Sequence, residues 1–259
     1  MFPVIKHIDD VLPHIQDFTE FYVTQREGYQ VINYIVNTPQ TFGITADEHG
    51  DAVRRECRGI TFDLEGNIIR RPLHKFFNYG EKPLEDERLD FRGARILEKL
   101  DGSMIAPFIV ARDGKNAWKG GIIRLGTKMG LTDVALQAEE FIKDKPNYHE
   151  FIGLSLMFGF TPIFEWTSRK QRIVIDYAED NLVLLAMRDM ISGDYMHYST
   201  LLSHAEEYNV PVVKSFDLNL KNMNELQEHT KGLQNQEGFV VEFSNDQRVK
   251  LKADEYLRI

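Results

Sequence analysis

Short apolar runs with a two-residue period dominate this chain, and turn residues punctuate them. "YQVINYIVN" (29–37) mixes aromatic and β-branched residues, as strands do. "RGITFDLEGNIIRRPLHKFFNYGE" (58–81) reads as a hairpin, with "LEGN" as its turn. Residues 95–127 read as further strands, with turns at "LDGS", "RDGK" and "KGG". "TPIFEWT", "QRIVIDY" and "NLVLLAMRDM" give three more, and "EGFVVEFS" with "QRVKLKADEY" predicts a terminal hairpin around "SNDQ".

Helical spacing is confined to four places. "HIDDVLPHIQDFTEFYVTQREG" (7–28) predicts one or two short helices stopped by Gly28. "TDVALQAEEFIKD" starts on a threonine cap at Thr132. "STLLSHAEEYN" is a further capped helix, and "MNELQEHTKGL" ends at Gly232. Strands with helices packed outside them give an α+β fold of mostly antiparallel sheets. Strand–helix alternation of the doubly wound type is lacking, as is a glycine-rich phosphate or dinucleotide loop.

Composition narrows the class. The chain has 259 residues, 42% of them apolar and 27% charged, enough for one large domain or two small ones. Its net charge of −9 argues against indiscriminate coating of nucleic acid, though a local basic channel is compatible with it. A single cysteine, Cys57, allows no internal disulfide and suits a reducing interior. The start lacks a signal-peptide pattern. The longest uncharged apolar run, "FIGLSLMFGFTPIF" (151–164), is too short for a bilayer and reads as a buried helix end passing into a buried strand. A soluble cytosolic protein with no membrane partner is expected.

Candidate chemistry centres on "LEKLDGSMI" (97–105), where Lys99, Asp101, Gly102 and Ser103 crowd together. As bland chemistry this is a surface turn; as reactive chemistry Lys99 is a nucleophile. An ordinary lysine, with a pKa near 10.4, is almost wholly charged at pH 7, so a nucleophilic one needs nearby cations or burial. Lys250 and Lys252 lie two apart on a strand and share a face, as guards of an edge or as holders of an anion such as a triphosphate. Glu165 and Glu237 stand in apolar surroundings, as members of salt bridges or as a ribose contact and a metal ligand. Upstream, "RRECRGITF" carries Arg54, Arg55 and Arg58, and "RRPLHKFFN" carries Arg70, Arg71 and Lys75. Guanidinium forks suit phosphate oxygens, and solvated faces look the same in sequence.

Taken in order, "ECRGITFD", "RPLHKFFN", "KLDGS", "FEW…RIVIDY", "EGFVVEF" and "VKLKADEY" resemble the phage-type ATP-dependent RNA ligase 1 family of covalent lysyl-nucleotidyltransferases. The similarity runs from about Tyr29 to Tyr256. It implies an antiparallel-sheet, ATP-grasp-like adenylation domain with peripheral helices, spanning residues 1–259. It also implies roles for single residues. Lys99 would be the adenylylated nucleophile, and Asp101 would assist sealing. Arg58, Lys75, Lys250 and Lys252 would contact phosphates. Glu165 would lie in the nucleoside pocket, and Glu237 would hold Mg²⁺ or Mn²⁺. Tyr34 and Tyr256 match tyrosines near the nucleotide, and Lys128 matches a basic position for phosphate or RNA. Phe164 and Trp166 would bear on the adenine or simply pack in the core. The implied activity uses ATP to join RNA 5′-phosphate and 3′-hydroxyl ends through lysyl-AMP.

Two departures shape the expectation. Met104 follows Ser103 where typical DNA ligases have arginine, which favours RNA. The sequence reaches Ile259 soon after the last shared segment, so neither a C-terminal RNA-specificity domain nor an OB fold is expected within it, and a partner chain could supply that specificity. A DNA ligase, a capping nucleotidyltransferase and a non-catalytic RNA-binding module of the same fold remain the alternatives.

Overall fold

The computed structural model describes residues 2–36, 38, 40–81, 89–169, 175 and 177–257. Two single-turn 3₁₀ segments, Ile8–Asp10 and Leu12–His14, open the chain. Strands β1 (Phe21–Arg26), β2 (Tyr29–Tyr34), β3 (Ile60–Phe62) and β4 (Ile68–Arg70) form one antiparallel sheet in that order. Next come β5 (Phe77–Asn78) and β6 (Arg95–Lys99), which join a later sheet. Strands β7 (Ser103–Val110), β8 (Ile122–Gly126), β9 (Phe160–Thr167) and β10 (Asn181–Asp189) form the second sheet in the order β10-β9-β7-β8. The last three, β11 (Ser215–Phe216), β12 (Gly238–Glu242) and β13 (Arg248–Lys252), complete the third as β11-β6-β12-β13-β5. Only the β13–β5 pairing of these sheets is parallel. The fold is α+β with mainly antiparallel sheets, as the strand pattern predicts.

Among the described residues six helices lie around the sheets: α1 (Glu48–Arg54), α2 (Asp133–Ile142), α3 (Pro146–Met157), α4 (Tyr198–Glu207), α5 (Met223–Lys231) and the short α6 (Asp254–Leu257). Thr132 caps α2 through the Ala135 N–H, and Asn222 caps α5 through that of Glu225. The largest core cluster joins the inner faces of the first two sheets, with Ile32, Phe62, Ile105, Phe164 and Leu184, to α2 and α3 through Ala138 and Ile152. A second cluster sets Ile96, Phe239, Val241 and Leu251 beneath Leu226 of α5. Cys57 is filler: it is fully buried, and burial raises its thiol pKa.

Several expectations need correction. The helix predicted through 7–28 is two 3₁₀ turns followed by β1, and Gly28, at φ +83°, turns the β1–β2 hairpin. Phe18, Phe21 and Tyr22 lie three and four apart, which imitates a helical stripe. Helix α1 is polar and contains Gly50, so its pattern is silent. The run at 151–164 does pass from α3 into β9, but the junction is open: Met157 and Phe158 are 76% and 73% exposed. Most of "QRIVIDY" lies outside the described residues. No described helix is long and apolar enough to cross a membrane.

Behind the first two sheets sits a buried ion network. Glu56 receives Arg188 Nη1 and Nη2 at 2.6 and 2.7 Å, and Arg71 Nε at 3.2 Å. Burial raises the Glu56 carboxyl, but Arg188 and Arg71 outweigh it and its pKa falls. Arg70 is likewise spent on structure, bonding Thr61 Oγ1 and the Gly59 and Ala106 carbonyls. Arg54 is held by Asp51 and the His14 carbonyl. These three arginines of the upstream clusters serve the fold.

Candidate active site

The "LDGS" segment is a crossing between sheets. Strand β6 pairs with β11 and β12, whereas β7 pairs with β8 and β9. Lys99 therefore ends one sheet and Ser103 begins another, with Asp101 and Gly102 between them. Gly102 is required here by close approach: a Cβ would run into the backbone carbonyl of Trp166.

The β6–β12–β13 register places the charged residues. Lys99 pairs with Gly238, which pairs with Lys252; Leu97 pairs with Val240, which pairs with Lys250; Arg95 pairs with Glu242, which pairs with Arg248. Directly opposed residues share a face, so Lys99, Lys250 and Lys252 all project from the face opposite the α5 cluster. Gly238, at φ +149°, leaves no room for a side chain, since a Cβ would overlap the Leu251 carbonyl.

Lys99 Nζ donates to Glu237 Oε1 at 2.5 Å, and Glu237 is buried. Burial pushes the Glu237 carboxyl up against the opposing pull of Lys99, and the Tyr256 hydroxyl bonds it as well. Lys252 Nζ lies 5.2 Å above the Tyr256 ring. Glu165, half-buried on β9, is pushed up to about 8 by burial, with Glu237 and Asp101 adding to the shift and Lys99 opposing it. Asp101 Oδ2 accepts the Ile175 N–H at 2.6 Å, and its own N–H donates to the Tyr177 hydroxyl at 2.7 Å. This carboxylate thus ties the crossing to the segment before β10.

Cations close the other side. Lys250 is lowered to about 7 by burial and by the charges of Lys75, Lys99, Lys252 and Arg58. Its Nζ sits 5.9 Å above the Phe76 ring. Lys75 Nζ lies over the rings of both Phe42 and Phe77, at 5.6 and 5.3 Å, and burial lowers its pKa. Arg58 Nε donates to the Tyr34 hydroxyl at 3.3 Å, and Lys128 Nζ stands 4.6 Å above the Tyr34 ring. Burial raises the Tyr34 phenol, but Arg58, Lys128 and Lys75 outweigh it and its pKa falls.

The structure thus brings Lys99, Asp101, Glu165, Glu237, Lys250, Lys252 and Tyr256 into one neighbourhood. Tyr34, Arg58, Lys75 and Lys128 join them through Lys75 and Arg58. Phe164 is fully buried core, and Trp166 packs on Phe141 at 5.2 Å. Sequence reasoning missed Phe42, which underlies Lys75 and Tyr34 and stands in no pattern that signals a site, and Tyr177, which closes the quoted "RIVIDY" segment without a role assigned to it.

Among the described residues no three His, Cys, Asp or Glu side chains form a metal cage. An ion of the Mg²⁺ kind keeps several waters and uses one or two carboxylates with phosphate oxygens. Glu237, with Asp101 and Glu165 close enough to perturb it or be perturbed by it, fits that smaller requirement once Lys99 releases it.

A family model described as RNA ligase matches residues 56–256. A putative RNA ligase of Thermovibrio ammonificans is 31% identical over 262 aligned residues, which cover 97% of this chain and 63% of that protein. RNA ligase 1 of Bacteriophage TS2126 is 25% identical, over 66% of this chain and 42% of its own. An archaeal ATP-dependent RNA ligase structure matches with a TM-score of 0.62 at 13% identity, over 95% of this chain and 61% of that one, a likeness of fold. The chain therefore spans less than two thirds of the length of each of these relatives. By the family-model match from residue 56 to residue 256, this chain belongs to the phage-type RNA ligase family.

Proposed function

We propose that residues 1–259 supply the nucleotidyltransferase domain of an ATP-dependent RNA ligase that works through lysyl-AMP. The observation that carries this reading is the shared sheet face. Lys99 ends β6, Lys250 and Lys252 project beside it, and Glu237 bonds its ammonium.

In the first step Lys99 Nζ, having shed a proton, attacks the α-phosphorus of ATP. A P–N bond forms, and the P–O bond to the β-phosphate breaks, releasing pyrophosphate. Lys250, Lys252, Arg58 and Lys75 offset the charge on the phosphates. Glu165, uncharged near neutral pH, can donate a hydrogen bond to a ribose hydroxyl as well as accept one. Glu237 would hold a divalent cation together with phosphate oxygens, and that ion would neutralise charge on the transferred group. AMP then passes to an RNA 5′-phosphate, and a 3′-hydroxyl displaces it to close the phosphodiester. Asp101 positions the crossing that carries the nucleophile. RNA specificity beyond this domain would come from a further domain or a partner chain, in a cytosolic setting.

Incubation with α-labelled ATP and Mg²⁺, followed by a denaturing gel, tests the covalent step. Labelling of the wild type and its absence in Lys99→Ala are expected. Labelling by GTP alone would mark a capping enzyme, and transfer only to nicked DNA a DNA ligase. RNA binding without any covalent nucleotide would mark a non-catalytic module.

A further inference from the structure

Beside the cleft, the end of α1, the loop after β4 and the β12–β13 turn enclose a second space of about 130 Å³. Arg55, His74, Lys75 and Arg248 wall it, with Glu56 and Asp246. It is smaller than the roughly 300 Å³ at which drug-sized ligands are held, so it suits a small group.

Arg248 is the informative residue. It is 5% exposed, its Nη2 donates to Glu242 Oε1 at 2.8 Å, and its Nη1 has no hydrogen-bond partner. A buried donor left unpaired is costly, and more so when charged, so an orphaned guanidinium nitrogen in a cavity wall calls for an acceptor. The guanidinium lies 3.7 Å from the centre of the Tyr195 ring, and the Tyr195 hydroxyl is bonded to His74 Nδ1 at 2.7 Å. The Arg55 backbone is tied to the same loop: its carbonyl accepts the Lys75 N–H at 2.7 Å.

The acids of the wall are partly engaged elsewhere. Glu56 is occupied by Arg71 and Arg188, while burial raises the Asp246 carboxyl against the pull of Arg248. Burial lowers His74, and the charges that lower it further are all guanidiniums: Arg188, Arg248, Arg55 and Arg58. The ring is thus a neutral partner in positive surroundings. Arg248 also continues the row of Lys250 and Lys252 on the same face, about 7 Å beyond Lys250.

We propose that this cavity binds a phosphoryl group, held by Arg248 Nη1 and Arg55, next to the nucleotide cleft and separate from the transfer chemistry at Lys99. The group is either the terminal phosphate of a polynucleotide or free phosphate; both present the same oxyanion.

The test uses the intact protein with labelled arginine side chains, followed by NMR during titration with inorganic phosphate. A saturable shift of the Arg248 signals is expected. Arg55→Gln should weaken it at least tenfold, and Arg248→Lys, read on the Arg55 signals, should do the same, while covalent AMP labelling of Lys99 stays within twofold. No saturable shift, or unchanged affinity in both variants, overturns the proposal. Short RNAs of one sequence, ending in 5′-phosphate or 5′-hydroxyl, then compete against the bound phosphate. Displacement only by the phosphorylated RNA assigns the site to a strand end, and equal failure of both assigns it to free phosphate. Loss of AMP labelling in the wild type would undo the ligase reading and leave this site standing.

Discussion

The bare Cα of Gly102 lies against the backbone carbonyl of Trp166, so close that no side chain fits between them. Ser103 pairs with Trp166 across β7 and β9, which fixes this approach next to Lys99. Gly102→Ala must push the crossing away from β9. A loss of AMP labelling of at least tenfold is expected while the protein still unfolds cooperatively. Wild-type labelling in the folded variant would show that the crossing tolerates the shift.

Replacing Lys99 should have two separable effects. Lys99→Ala removes the proposed nucleophile, and covalent AMP should fall below detection. It also strips Glu237 of its ammonium partner, so the Glu237 carboxyl should move to higher pKa, read by carboxyl carbon NMR across a pH series. Persistent labelling would relocate the nucleophile.

Lys250 and Glu165 make opposite contributions to stability against pH. Lys250 sits near 7 in the fold and near 10.4 in an unfolded chain. Between those values the unfolded state binds more protons, so stability rises as pH climbs from 7 towards 10. Glu165 sits near 8 in the fold and near 4.3 unfolded, so its contribution falls as pH climbs from 4 through 8. Denaturant midpoints measured over pH 5–10 should lose the alkaline rise in Lys250→Met and the lower decline in Glu165→Gln. A triphosphate should also draw a proton onto Lys250 near pH 8. The heat of ATP binding should then depend on buffer ionisation, and less so in Lys250→Met.

The Glu56 network predicts a structural defect without a chemical one. Glu56→Gln leaves Arg71 and Arg188 buried without a balancing charge. Breaking a buried pair in this way costs about 3–5 kcal/mol, measurable by chemical denaturation. A loss below 1 kcal/mol would mean that the Pro3, Pro72, Met190, Ile191 and Gly193 carbonyls around these arginines suffice.

Much of this architecture can be read from local pattern. Alternation locates β6, β7, β9, β12 and β13, and the caps locate α2 and α5, because each signal lies within a few residues of its consequence. The spacing of Lys250 and Lys252 likewise reports a shared face. What escapes is long-range. Nothing in "KLDGS" says that its two flanking strands belong to different sheets; that follows from pairing with β12 and β9, more than 50 residues away in sequence. Arg54, Arg70 and Arg71 look like phosphate forks beside Arg58, yet their partners are buried acids and carbonyls. Phe42 gains its place under Lys75 only when the chain folds back.

Because the crossing at Gly102 divides the cleft between sheets, the Lys99 amine and Glu165 stand on different sheets. A nucleotide bonded to Lys99 and touching Glu165 would bridge the two. Adenylylation would then double as a mechanical link, and amide exchange along β6 and β9 would slow when AMP is bound and relax when it departs.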